Sequence, residues 1–168
     1  MTLEEFNKSA DLYSDNLYRF VLKNLRDEDL ARDTVQEAYE KLWIKHQDID
    51  FVKSKPYLFA CAYHSLIDVV RKKRNCFLTC DEAAVNIPQK HFSQFSGITE
   101  ALNEALNQLS AEQKSVILLR DYEGYSYEEI SQITGMTLAS VKVYIFRGRV
   151  AMKKRLELLG LTVNDLED

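Results

Sequence analysis

Apolar residues recur at three- and four-residue steps through most of the chain, and this rhythm commits it to helices. Leu3, Phe6, Ala10, Tyr13, Leu17, Phe20, Val21 and Leu25 follow it first, so they share one side of a 3.6-residue helix. After a polar junction at Arg26 to Asp29, Leu30, Thr34, Ala38 and Leu42, with the companion series Val35, Tyr39 and Trp43, mark a second helix. Periodicity lapses from His46 to Phe51. It resumes around Pro56, which suits the first turn of a third helix because its missing N–H does no harm there. Leu58, Cys61, Ala62, Ser65, Leu66 and Val69 carry that helix to the basic run Arg71–Arg74. With 2 Pro and 5 Gly in 168 residues, the chain lacks the turn formers that many short strands require. An all-α fold is expected.

Between residues 76 and 98 the stripe dissolves into Asn, Gln, Ser, a Pro and scattered aromatics, which reads as a flexible linker. Two small helical domains are therefore expected, residues 1–75 and 99–160, a division that 168 residues accommodate. The second opens with Ile98, Leu102, Ala105, Leu106 and Leu109. Ser110 and Gln113 have capping-box spacing, and Val116, Ile117, Leu119 and Tyr122 are the apolar positions of the helix they start, which Gly124 is expected to end. Ser126 and Glu129 form a second capping box, ahead of Ile130 and Ile133. Gly135 then supplies a tight turn into a helix whose Val141 and Ile145 face inward. Two short helices joined through Gly, the second rich in basic and aromatic residues, describe a helix-turn-helix. Ser140, Lys142, Val143, Phe146, Arg147 and Arg149 are then candidates for its outer, DNA-facing surface, with Arg147 favoured for base readout because Arg donates two hydrogen bonds to guanine.

A net charge of −4 argues against nucleic-acid binding only on average, because the charge is segregated. Asp27, Glu28, Asp29, Asp33, Glu37 and Glu40 crowd one segment, while Arg71–Arg74 and the group Lys142, Arg147, Arg149, Lys153, Lys154 and Arg155 are basic. Separate faces for separate partners are implied. No apolar run reaches the roughly 20 residues of a membrane span, and the start lacks a secretory pattern, so a cytoplasmic protein with three reduced cysteines is expected. Cys61, His64, Cys76, Cys80 and His91 do not fit paired metal-ligand spacing, and no metal or other cofactor is expected. Without a phosphate-cradling Gly loop or a nucleophile elbow, neither an enzyme nor a small-molecule substrate is expected.

The segment Leu109 to Lys142, with Tyr125-Ser126-Tyr127-Glu128-Glu129-Ile130 at its centre, resembles region 4 of the bacterial sigma factors, in particular the extracytoplasmic-function (ECF) group. Asp29 to Trp43 is similar to region 2.2 of that family, and Pro56 to Arg71 to regions 2.3–2.4. The resemblance implies a non-catalytic subunit that directs core RNA polymerase to promoters and assists their opening. It implies docking of Asp33, Gln36, Glu37, Leu42 and Trp43 on the β′ clamp helices. Recognition of the minus-ten element would fall to Tyr63, His64, Ile67, Asp68, Arg71 and Arg74, beside the loop from His46 to Lys55. The helix around Lys142–Arg149 would read the minus-thirty-five element, with its other side toward the β flap, and an anti-sigma factor would regulate the whole. Four positions depart from the family pattern: His64 stands where Asn is usual, Ser131 and Gly148 where Ala is common, and Ser140 where Thr is frequent. The His64 departure suggests an altered minus-ten preference, and Gly148 either a closer backbone approach to DNA or a neutral change.

Overall fold

The computed structural model describes residues 1–79 and 97–158. The described residues form seven α-helices: α1 (Leu3–Leu25), α2 (Glu28–Ile44), α3 (Phe51–Thr79), α4 (Gly97–Asn107), α5 (Ala111–Ile117), α6 (Tyr127–Thr134) and α7 (Leu138–Leu158). Residues 80–96, which contain most of the expected linker together with Cys80 and His91, lie outside the described residues.

Local chemistry sets the helix ends. Thr2 Oγ1 accepts the Glu5 N–H at 3.2 Å while the Glu5 carboxylate accepts the Thr2 N–H at 2.8 Å, which satisfies two backbone donors at the start of α1. Arg26 then takes the left-handed conformation, φ 58°, and its N–H donates to the Leu22 carbonyl at 2.8 Å. Asp27 immediately caps α2 by accepting the Leu30 N–H at 3.0 Å. The expected junction at Arg26–Asp29 is thus two residues long, and α1, α2 and α3 all pack on one another.

Two elements differ from the sequence expectation. Pro56 lies in the sixth position of α3 rather than its first turn, because the helix begins at Phe51. The Lys53 N–H donates to the Asp50 carbonyl at 2.9 Å and Ser54 Oγ to the Phe51 carbonyl at 2.6 Å, so this entry turn is built before the proline. The helix started by Ser110 does not run regularly to Gly124. From Leu118 to Tyr122 it widens to a π-helical turn, in which the Glu123 N–H reaches back five residues to the Leu118 carbonyl at 3.0 Å. The extra residue shifts the phase of the stripe. Leu118 and Leu119 are buried and Tyr122, expected to face inward, is exposed.

Both expected capping boxes are present, at Ser110–Gln113 and Ser126–Glu129. Gly135, at φ 73°, ends α6 in a conformation that costs a glycine no Cβ clash. Val141 and Ile145 are buried as their spacing requires. Gly148 does not face outward toward DNA. It is buried against α5, where a Cβ would collide with Ile117 Cδ1 and lie 3.7 Å from Leu109 Cδ1, so the missing side chain permits close helix packing instead.

The N-terminal and C-terminal units share one hydrophobic core. Leu17, Phe20, Leu58, Phe59 and Leu66 belong to the same buried cluster as Val116, Leu119, Tyr125, Ile130 and Ile133. Helix α5 packs on α1 and α3, and α6 packs on both α3 and α7. Phe59 sits at the centre of this junction, its ring 5.4 Å from that of Phe20 and 5.5 Å from that of Tyr125.

Candidate nucleic-acid and polymerase interfaces

The outer face of α7 divides into two stripes. Val143 and Arg147, four residues apart and both exposed, continue from the half-buried Ser140. The Ser140 N–H is capped by Thr137 Oγ1 at 3.2 Å, and the two hydroxyls lie 2.8 Å apart. Lys142, Phe146 and Arg149 form the second stripe. With Tyr127, Ile145 and Lys153 they border a groove of about 290 Å³, in which the Phe146 ring is 69% exposed. The two stripes differ in availability. Arg149 donates from both Nε and Nη2 to the Asp121 carboxylate, whereas no carboxylate among the described residues pairs with Arg147. A fork already held by a carboxylate is less free to take a further planar partner than the Arg147 fork is.

On the other unit, Asp33, Gln36 and Glu37 lie along the outer side of α2. The Glu37 carboxylate accepts from Lys41 at 2.7 Å, and this bond holds its pKa below the ordinary value against the opposing effect of partial burial. Gln36 donates to Glu40 at 2.9 Å. The Trp43 ring, 44% exposed, is stacked on His46 with centroids 4.7 Å apart and meets Phe6 at 5.0 Å. Phe6, Gln36, Tyr39, Glu40, Trp43 and Ile44 line an open groove of about 500 Å³. Leu42 is a correction to the expected docking set. It is fully buried, because Thr34, Ala38 and Leu42 follow one face of α2 into the core, so it supports this surface from beneath. Sequence reasoning also missed Phe6 and Ile44. Phe6 comes from α1 and joins the groove only through helix packing, whereas exposed Ile44, directly after Trp43, is a readable signal.

Along α3, His64, Asp68, Arg71 and Arg74 are exposed and Ile67 is half-buried. Arg71 and Asp68 pair at 3.7 Å, and Lys73 reaches Asp27 at 3.9 Å. Tyr63 departs from the expected surface, being only 4% exposed. Burial raises its phenol to about 12, with Glu112 and Tyr144 of the C-terminal unit adding to the rise.

The family model for Sigma-70 region 2 matches residues 10–76, and that for Sigma-70 region 4 matches residues 99–152. The chain is 30% identical over 156 residues to the ECF RNA polymerase sigma factor SigL of Mycobacterium tuberculosis, covering 87% of this chain and 85% of SigL. The chain belongs to the ECF sigma factors. It is also 29% identical over 168 residues to the ECF RNA polymerase sigma factor SigM of Bacillus subtilis, covering 98% of this chain and 99% of SigM. Among solved structures, the sigma factor RpoE of Bartonella quintana, crystallised with the anti-sigma factor NepR, has the same fold, with a TM-score of 0.73 and 24% identity over 92% of this chain and 98% of that one.

As a sigma factor the chain is a non-enzymatic initiation factor that directs RNA polymerase to promoters. One family departure is explained by the fold of its helix-turn-helix: Ser131 Oγ donates to the Met136 carbonyl at 2.6 Å, fastening α6 to the turn that follows. Arg120 performs a similar task on the opposite side. It donates to the Tyr125 carbonyl at 2.9 Å and places its guanidinium 4.8 Å from the Tyr127 ring centre, a cation–π distance.

Proposed function

We propose a division of labour among three surfaces of this sigma factor. The groove between α1 and α2, with Trp43 as its aromatic anchor and Asp33, Gln36 and Glu37 beside it, docks on the β′ clamp helices. The exposed face of α3 bearing His64, Ile67, Asp68, Arg71 and Arg74 meets the minus-ten element, and α7 reads the minus-thirty-five element through Ser140, Val143 and Arg147. Lys142, Phe146 and Arg149 line the flanking groove, whose cations suit phosphate contact. The observation that carries this reading is the segregation of exposed side chains: acidic and apolar on α2, basic on α3 and α7. An anti-sigma factor, the class of protein seen with the Bartonella quintana relative, is proposed as the regulator, and the cytoplasm as the site of action. No helix of the described residues is long and apolar enough to cross a membrane.

Arg147→Ala is expected to remove about 1–3 kcal/mol of discrimination at one minus-thirty-five position while leaving others unchanged. Competition among promoter duplexes that differ at single positions, with holoenzyme as binder, measures it. Equal losses at every position would assign Arg147 to phosphate contact instead. Trp43→Ala is expected to weaken core polymerase binding by at least about 2 kcal/mol, as for a central aromatic anchor. Titration of labelled protein against core polymerase reads the loss, and circular dichroism should show an unchanged fold because the ring is partly exposed.

A further inference from the structure

The π-helical turn gives α7 a partner that the helix itself does not supply. Widening between Leu118 and Tyr122 buries Leu118 and Leu119 and leaves Asp121 exposed, opposite Arg149 of α7. Arg149 Nε donates to Asp121 Oδ2 at 3.2 Å and Nη2 donates to Oδ1. This is the paired geometry by which a guanidinium also grips a phosphate, so the carboxylate occupies the donors that a phosphate would take. Hydrogen bonding to Asp121 raises the Arg149 pKa. The cation therefore keeps its charge, and only its availability changes.

The other cations of α7 are placed differently. Lys153 pairs with Glu157 and Arg155 with Glu104, toward the end of the helix, whereas Lys142 and Arg147 pair with no carboxylate among the described residues. Arg149 borders the same groove as Lys142 and Phe146, about two turns after Lys142. It is thus the paired cation nearest to the exposed cations of the recognition helix.

We propose that Asp121 is a positioning residue that competes with the DNA backbone for Arg149, and so limits the sequence-independent part of promoter affinity. The proposal rests on α7 being the helix that meets the minus-thirty-five element. The pair is suited to such competition. Both side chains are about half exposed, so a phosphate can reach the fork, while α7 is anchored independently through Val141, Ile145, Gly148 and Leu156. A freed guanidinium adds one phosphate contact and releases the counterion condensed there. Because phosphates are alike at every base pair, the gain carries no sequence preference.

Binding of holoenzyme to promoter duplex across a range of salt concentrations tests the competition. Asp121→Asn keeps the size of the side chain and removes its charge. It should tighten binding several-fold at low salt and steepen the plot of log affinity against log salt by about 0.9, the value of one added phosphate contact. The gain should be equal for duplexes that differ at single minus-thirty-five positions, and it should vanish in an Arg149→Ala background. A change in base preference, a gain that survives Arg149→Ala, or a slope that stays level or becomes shallower would overturn the proposal. If Asp121→Asn fails to fold by circular dichroism, Arg149→Lys decides the matter, because an ammonium keeps the charge but lacks the planar fork that matches a carboxylate. It should also steepen the slope, and an unchanged slope would count against the competition. Lys142→Ala separates this outcome from the reading beneath it. A slope shallower by about 0.9 for Lys142→Ala beside an unchanged Asp121→Asn slope refutes the competition alone. Unchanged slopes for both refute the assignment of α7 to DNA, and the competition with it.

Discussion

Phe59→Ala is expected to destabilise the protein by about 3–5 kcal/mol, the range for removing a buried phenylalanine and leaving a partly collapsed cavity. Its ring is fully buried and touches Phe20 in one unit and Tyr125 in the other. Neither neighbour can fill the space alone, because Phe20 is fixed in the α1 core and Tyr125 sits next to the positive-φ Gly124. The Lys55 ammonium also loses one of its aromatic faces. Urea denaturation followed by circular dichroism measures the change, read as a shift in midpoint. A loss below about 1 kcal/mol would mean that the shared core contributes little.

Lys114→Met should act in the opposite direction, stabilising the fold by about 3 kcal/mol at pH 7, the product of about 1.4 kcal/mol per pH unit and the interval between the folded and unfolded pKa values. Lys114 is 5% exposed, and burial followed by the charges of Arg26 and Lys23 lowers its pKa from 10.5 to about 8. Its Nζ donates to Asn107 Oδ1 at 2.9 Å, which offsets that burial only in part. The sign follows from proton binding. Between about pH 8 and pH 10.5 the unfolded chain holds more protons on this lysine than the folded one, so stability rises with pH across that window. Below it the full penalty is present. Methionine removes the charge and keeps most of the volume. Urea midpoints should therefore favour the variant clearly at pH 7 and converge with the native chain near the top of the window. A native protein that is the more stable of the two at pH 7 would show that the charge is compensated.

The helices are legible wherever their causes are local. The stripe from Leu3 to Leu25, the two Ser capping boxes and Gly135 act over three or four residues, so spacing alone locates them. Pro56 misleads because a first-turn position is its usual helical place, whereas here the Asp50–Lys53 turn precedes it. The π-helical turn leaves no local mark in the sequence. Its widening is settled by burying Leu118 and Leu119 together while Tyr122 turns out toward Lys23. Helix α3 runs on to Thr79, past the basic run Arg71–Arg74 to which the stripe ending at Val69 carries it; within that run Lys73 reaches Asp27, the cap of α2, at 3.9 Å.

Among the candidate site residues, those on α7 are readable because Val141 and Ile145 fix which side of the helix is buried. Tyr63 is not. Its spacing along α3 suits the exposed face, yet it joins the buried cluster that both units share. Leu42 and Trp43 illustrate the limit at single-residue scale. Adjacent apolar residues on a helix diverge by about 100°, so one enters the core and the other faces outward, and the packing of α1 and α3 on α2 decides which.

Transcription reconstituted from purified components tests the central claim most directly. Core RNA polymerase, this chain and a promoter library should yield initiation at a specific subset of promoters, with neither protein sufficient alone and both co-eluting on gel filtration. Failure to co-elute with core polymerase, or a promoter-specific shift by the chain without polymerase, would contradict it.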